Sequence, residues 1–169
     1  MLVGLGKSPD AVAVRRAAGV AARAVTNAAS VAIALPADGA DLVRAVTEGH
    51  ELGAYRFTTY KKESKDQDPG EVVVLSPAAR RKEVVAAFDE ARVVTRAVAA
   101  TRDWVNVPPG DLTPPLFAAA TKELTKGRGA PKVGIRVLDE QELAELGCGG
   151  ILGVGAGSSA PPRLVELTY

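Results

Sequence analysis

Cysteine, histidine, methionine and tryptophan each occur once in these 169 residues, and aromatic side chains make up only 4%. A single cysteine, Cys148, excludes an internal disulfide, and such sparse use fits a reducing compartment. A single histidine, His50, with no CxxC pair, excludes a His/Cys metal site assembled within the chain. There is no excess of one charge: 21 basic and 20 acidic side chains leave a net charge of +1. That balance gives no electrostatic footprint for nucleic acid or an anionic membrane. No apolar run reaches the roughly 18 residues of a membrane-crossing helix. The opening MLVGLGKSPD meets Lys7, Pro9 and Asp10 too early for a signal peptide. The expected location is the cytoplasm.

What is present fits a soluble globular protein, with 47% hydrophobic and 24% charged residues. The length suits one ordinary domain or two small ones. With few aromatics and abundant Ala and Val, the core is expected to be built from small aliphatic side chains.

Apolar periodicity predicts an α/β organisation. Leu2–Gly6 reads as a short buried strand, followed by a helix capped by Ser8 with Pro9 at its first position. Val12, Ala17 or Ala18, Ala21 or Ala22, and Val25 keep helical spacing. Val31–Leu35 is a continuous apolar run, as in a strand buried on both faces. Asp38 is placed to cap a second helix with Leu42, Val43, Val46 and Leu52 on one side. Arg56–Tyr60 reads as a β-type segment, Lys61–Gly70 as a solvated loop and Glu71–Leu75 as a further buried strand. Strands alternating with helices predict a largely parallel sheet.

A long helix over Arg80–Asp103 follows, with Val84, Phe88, Ala91, Val94 or Thr95, and Val98 as its stripe. It would span roughly 35 Å. Pro108-Pro109-Gly110 ends it. Thr113 caps the next helix, with Pro114 at N1 and an apolar face of Phe117, Ala120 and Leu124, closed by Lys126-Gly127-Arg128-Gly129. Val133–Leu138 is a strand, and Asp139 caps a short helix that Gly147 closes. Gly149–Val154 reads as a strand, and Arg163–Tyr169 alternates as another.

No constellation of side chains amounts to a catalytic site. Gly4-Leu5-Gly6-Lys7-Ser8 resembles the end of a phosphate-binding loop, but Met1 stands where the motif needs a glycine. Gly153-Val154-Gly155-Ala156-Gly157 is spaced G-x-G-x-G, and Pro161-Pro162 replaces the helix a dinucleotide fingerprint requires. His50 reads as a surface residue. Cys148 reads as a small buried apolar side chain, because no histidine lies near it in the chain. Asp139, Glu140, Glu142 and Glu145 read as a solvated helix face.

Three stretches nevertheless resemble the leucyl aminopeptidases, the metal-dependent exopeptidases of family M17. Thr101-Arg102-Asp103-Trp104-Val105-Asn106-Val107-Pro108-Pro109-Gly110-Asp111-Leu112-Thr113-Pro114 is similar to that family's R-D-x-x-N-x-P-x-x-x-L-T-P run between a long helix and the catalytic domain. Gly53–Lys61, GAYRFTTYK, is similar to a G-x-Y-x-F-x-x-Y-K segment of its amino-terminal domain. Gly149–Tyr169 is similar to the opening of its catalytic domain. The resemblance implies a partial macro-domain-like α/β unit over 1–79, a connecting helix and proline-rich linker over 80–112, and the first βαββ elements of a catalytic domain over 113–169. It also implies, for the intact enzyme, removal of amino-terminal residues from peptides by two divalent ions (Mn or Zn), which act as Lewis acids and activate a water, in a hexamer. The family's K-G-x-x-x-D-S-G-G and N-T-D-A-E-G-R runs, which supply its metal ligands and catalytic Lys and Arg, do not occur in this sequence. No catalytic, metal-binding or cofactor-binding residue therefore carries over. The 169 residues alone are expected to be an inactive fragment that binds no metal. The alternatives are a non-catalytic assembly or binding module and a nucleotide- or ADP-ribose-binding macro-like domain.

Overall fold

The computed structural model describes residues 1–62, 69–126 and 132–169. They fall into two compact units, 1–106 and 107–169.

The first unit contains α1 (Ala11–Ala24), β1 (Ser30–Ile33), α2 (Ala40–Ala54), β2 (Glu71–Val74) and α3 (Lys82–Asn106). β1 and β2 pair in parallel, with Val31 opposite Val72 and Ile33 opposite Val74. The parallel pairing follows from the α2 crossover between them. α1 packs on α2, and α2 on α3. Val14, Ala18, Ile33, Ala37, Val43, Ala45, Val46, Ala78 and Val84 form one buried cluster, with Leu5, Leu35 and Phe88 at its margin. The core is small and aliphatic, as composition predicts. α3 buries Val84, Ala87, Ala91 and Thr95, a stripe at spacings of three and four, while Val94 on the neighbouring face is exposed.

The α1–α2 crossing depends on three glycines. A Cβ on Gly49 would lie 2.2 Å from the Arg15 carbonyl oxygen, and one on Gly53 would lie 2.6 Å from both Cα and O of Gly19. One on Gly19 would meet the Gly49 carbonyl oxygen at 3.1 Å. The absence of side chains at these positions lets the two backbones touch.

The second unit contains α4 (Pro114–Leu124), β3 (Gly134–Leu138), α5 (Glu140–Glu145), α6 (Gly149–Gly155) and β4 (Leu164–Thr168). β3 and β4 pair antiparallel, with Arg136 opposite Glu166. α5 begins with a full capping box: Asp139 accepts from the Glu142 N–H, and Glu142 accepts from the Asp139 N–H. Gly147 ends that region at φ +70°, a conformation favouring glycine.

Several expectations are corrected. Gly149–Val154 is helical, so the second unit runs β–α–α–β after α4 and not βαββ. A short apolar run carries no periodicity that separates a strand from a helix. Residues 2–6 form no strand, because β1 and β2 pair only with each other among the described residues and the segment has no ladder to join. Arg56–Tyr60 is not a strand either; it closes in a turn, with the Lys61 N–H donating to the Thr58 carbonyl at 2.9 Å. Asp10, not Ser8, caps α1, accepting from the Ala13 N–H at 2.8 Å. Gly39, not Asp38, is the N-cap of α2. On α4 the buried positions are Ala118 and Thr121, while Phe117 and Leu124 are exposed. Residues 63–68 of the expected loop and 127–129 of the expected helix end lie outside the described residues.

Candidate functional site

The stretches that carry the family resemblance in the first unit meet at one end of α3. Tyr55 follows the last residue of α2, and its hydroxyl donates to Asp103 Oδ1 at 2.7 Å. Asn106 Nδ2 donates to the same hydroxyl oxygen at 3.2 Å. The Arg102 guanidinium carbon lies 5.3 Å from the centre of the Tyr55 ring, a cation–π distance. Arg102 Nη1 donates to the Leu52 carbonyl at 3.0 Å, one of the carbonyls that the end of α2 leaves without a helical partner. Tyr55, Arg102, Asp103 and Asn106 thus clamp the last turn of α2 to the last turn of α3. Partial burial, and then donation to Asp103, hold the Tyr55 hydroxyl above its ordinary pKa. It stays a protonated donor. The linker then turns at once, with the Asp111 and Leu112 N–H groups both donating to the Pro108 carbonyl.

The cluster is built for positioning. It holds a carboxylate, a phenol, an amide and a guanidinium already engaged with one another, with no nucleophile beside a free base.

The other side chains singled out in the sequence lie apart. His50 is half-buried on α2 and lines a groove of about 300 Å³ with Thr47, Glu51, Phe88 and Arg92. Burial lowers its pKa against the opposing pull of the Glu51 charge. It is less exposed than a surface residue. Glu51 is itself held by Arg92 at 3.3 Å and by the Thr95 hydroxyl. Cys148 is half-buried as the N-cap of α6 and makes no capping hydrogen bond with its side chain. The acidic cluster is engaged locally: Glu142 pairs with Arg136 at 3.2 Å, Glu140 with Arg163 at 2.5 Å, and Glu145 accepts from Gln141. A further cavity of about 260 Å³ is lined by Val43, Val72, Val74, Val84 and Phe88. Its one hydroxyl, on Ser76, is bonded to the Ala37 carbonyl. That cavity lacks the convergent polar groups of a catalytic pocket.

Neither glycine motif forms a phosphate cradle. The α1 N-terminus that follows Gly4–Ser8 is already occupied by the Asp10 carboxylate, which repels a phosphate from the helix end where one would bind. Gly153 and Gly155 lie inside α6 and not in a loop before a helix.

Among the described residues, no group of three or more His, Cys, Asp or Glu side chains is placed to hold a metal ion. The divalent ions that the resemblance implies for the intact enzyme find no fitting ligand set among the described residues. No helix among those residues is long and apolar enough to cross a membrane.

Comparison with known proteins gives the same family twice. The N-terminal domain of the cytosol aminopeptidase family matches residues 1–64, and its catalytic domain, Peptidase M17, matches residues 99–169. A protein of Streptomyces avermitilis named "Probable cytosol aminopeptidase" is 45% identical over 99% of this chain and 35% of its own length. One of Nocardia farcinica with the same name is 45% identical over the whole chain and 33% of its own length. The chain thus spans about a third of the curated relatives it matches. Among solved structures, the bottromycin maturation enzyme BotP superposes with a TM-score of 0.85 at 37% identity, covering 99% of this chain and 36% of that one. BotP has also been solved in complex with Mn. Tomato leucine aminopeptidase, at 20% identity and a TM-score of 0.76 over 96% of this chain and 34% of its own, shares the fold. With two consecutive domains of one family matched in order on either side of most of α3, the chain belongs to the cytosol aminopeptidase family.

Proposed function

We propose that this chain is the portion of a metal-dependent leucyl aminopeptidase that carries the accessory α/β unit (1–79), the connecting helix and linker (80–112) and the opening of the catalytic domain (113–169). The intact enzyme removes amino-terminal residues from peptides in the cytoplasm, as a homo-oligomer of hexameric form that uses Mn or Zn. The observation that carries this reading is the order of the two domain matches, accessory at 1–64 and catalytic at 99–169. Among the described residues no group of His, Cys, Asp or Glu side chains is placed as a metal ligand set, which supports this reading. The contribution of these residues is architectural: they hold α3 and deliver the chain through Pro108-Pro109 into β3 and β4.

The pure 169-residue chain, given a leucine chromogenic substrate with Mn²⁺ or Zn²⁺, is expected to show no hydrolysis above the metal blank. Turnover that co-purifies with the chain would overturn this reading. DNA downstream of the Tyr169 codon is expected to continue in frame through the K-G-x-x-x-D-S-G-G and N-T-D-A-E-G-R runs.

A further inference from the structure

One groove of the first unit concentrates positive charge in a chain whose net charge is only +1. It lies along the α1–α2 crossing, encloses about 450 Å³, and is lined by Arg15, Arg16, Arg23 and Arg102 around Gly19, Val20, Gly49, Leu52 and Gly53. No carboxylate lines it. Its floor is the glycine crossing, where the missing Cβ atoms leave backbone in place of side chain.

The four arginines differ. Arg15 is paired with Glu48 at 2.5 Å. Arg102 is fixed by the Leu52 carbonyl and the Tyr55 ring. Arg16 and Arg23 have no hydrogen bond or ion pair among the described residues. Arg23 has a local rationale, since a cation in the last turn of α1 suits the helix dipole. Arg16, in the middle of α1, has none. Arg16, Gly19, Val20 and Arg23 stand at spacings of three and four, so they share one face, and the two arginines are about 10 Å apart along the axis.

We propose that this groove binds a compact multivalent oxyanion with at least two charged groups, phosphoryl or carboxylate, held chiefly by Arg16 and Arg23. Guanidinium forks match both oxyanions in bidentate geometry. With Arg15 offset by Glu48, Arg16, Arg23 and Arg102 still share a groove that no carboxylate lines, and a bound anion relieves their mutual repulsion. Two guanidinium forks on residues two helical turns apart favour a ligand that offers each a charged group of its own over one small anion that both must share. Binding to the folded chain alone also raises its stability.

The test is calorimetric titration of the full chain with inorganic pyrophosphate, citrate and inorganic phosphate, at ionic strength matched with sodium chloride. Saturable binding of pyrophosphate or citrate is expected, and whichever of the two binds identifies the source. Inorganic phosphate should bind at least about tenfold more weakly. Arg16→Ala/Arg23→Ala should weaken binding by at least about tenfold, as expected for losing charge-assisted bonds. Arg80→Ala/Arg81→Ala, which lies outside the groove, should leave it unchanged. Arg16→Lys/Arg23→Lys keeps the charge and solubility while removing the fork, and should bind more weakly than the parent with an unchanged circular-dichroism spectrum. Flat titrations, equal response to phosphate and pyrophosphate, or full binding by either Arg16/Arg23 variant would overturn the proposal.

Discussion

Residues 1–106 gather nine buried side chains into one cluster beneath α1, α2 and α3, whereas 107–169 bury only Ala118, Thr121, Leu138 and Leu143 among the described residues, and α6 buries none. The first unit is held by helix-on-helix packing of small residues, close enough that glycine backbones touch. The second is held by a strand pair, a capping box and the ion pairs Arg136–Glu142 and Arg163–Glu140. Exposed ion pairs contribute little, so the two buried leucines, Leu138 and the fully buried Leu143, carry a disproportionate share. The contrast teaches that the two units should respond to different insults. Packing errors should damage the first, and loss of one side chain or one cap the second.

The largest effect expected is from Gly49→Val in α2. Its branched side chain would have to displace the Arg15 backbone, at a cost of about 4 kcal/mol or more. Hydrogen exchange resolved by segment should show α1 and α2 losing protection while β3 and β4 keep theirs; equal loss everywhere would show that the units do not respond separately. Leu143→Ala comes next, at about 3 kcal/mol. It should invert the pattern, opening α5, β3 and β4 with α1 and α2 unchanged. Asp139→Ala removes half of the capping box and should cost about 1 kcal/mol, read as faster exchange of the α5 amides. Unchanged exchange there would mean that α5 stands on packing alone.

The smallest effect concerns pH and only the first unit. Burial lowers the folded-state pKa of His50 below its ordinary 6.5, so the unfolded chain takes the proton first. Stability from this group is complete above about 6.5 and declines as pH falls through that value toward the folded pKa. The urea midpoint of the parent should fall on acidification from pH 7.5 to 5.5 more than that of His50→Gln. Identical slopes would place His50 in a solvent-like environment.

Where the chain states its pattern over many residues, the structure follows it. The α3 stripe and the Asp139 cap with Glu142 three residues later are readable. The strands Ser30–Ile33 and Glu71–Val74 are readable as strands, but the expected burial on both faces is corrected: Val72, Val73 and Leu75 are exposed, because no helix covers the whole of β2 among the described residues. Where the signal is a few residues long, competing physics decides. GGILGV suits a buried strand as well as a helix by composition, and it is a helix. Asp10 outcompetes Ser8 as a cap because its carboxylate reaches the Ala13 N–H. On α4, Phe117 and Leu124 stay exposed and Ala118 and Thr121 are buried, because a hydrophobic stripe is buried only where a neighbour covers it. The clamp was half legible. The stretches containing Tyr55 and Arg102–Asn106 stand out in the sequence, but only the fold shows that they touch. The arginine groove was not legible, since its residues come from three helices and total charge averages it away.

The glycine crossing has a genetic consequence. At Gly53 the three atoms an added Cβ would meet first are all backbone, belonging to Gly19. No substitution elsewhere can make that neighbour smaller, so a side chain at position 53 has no local suppressor. A screen for second-site revertants of Gly53→Val should return reversion to glycine, or changes that strengthen the whole unit at a distance. By contrast, a lesion at Gly155, whose neighbour is the Pro162 ring, should be repairable by replacing that one side chain.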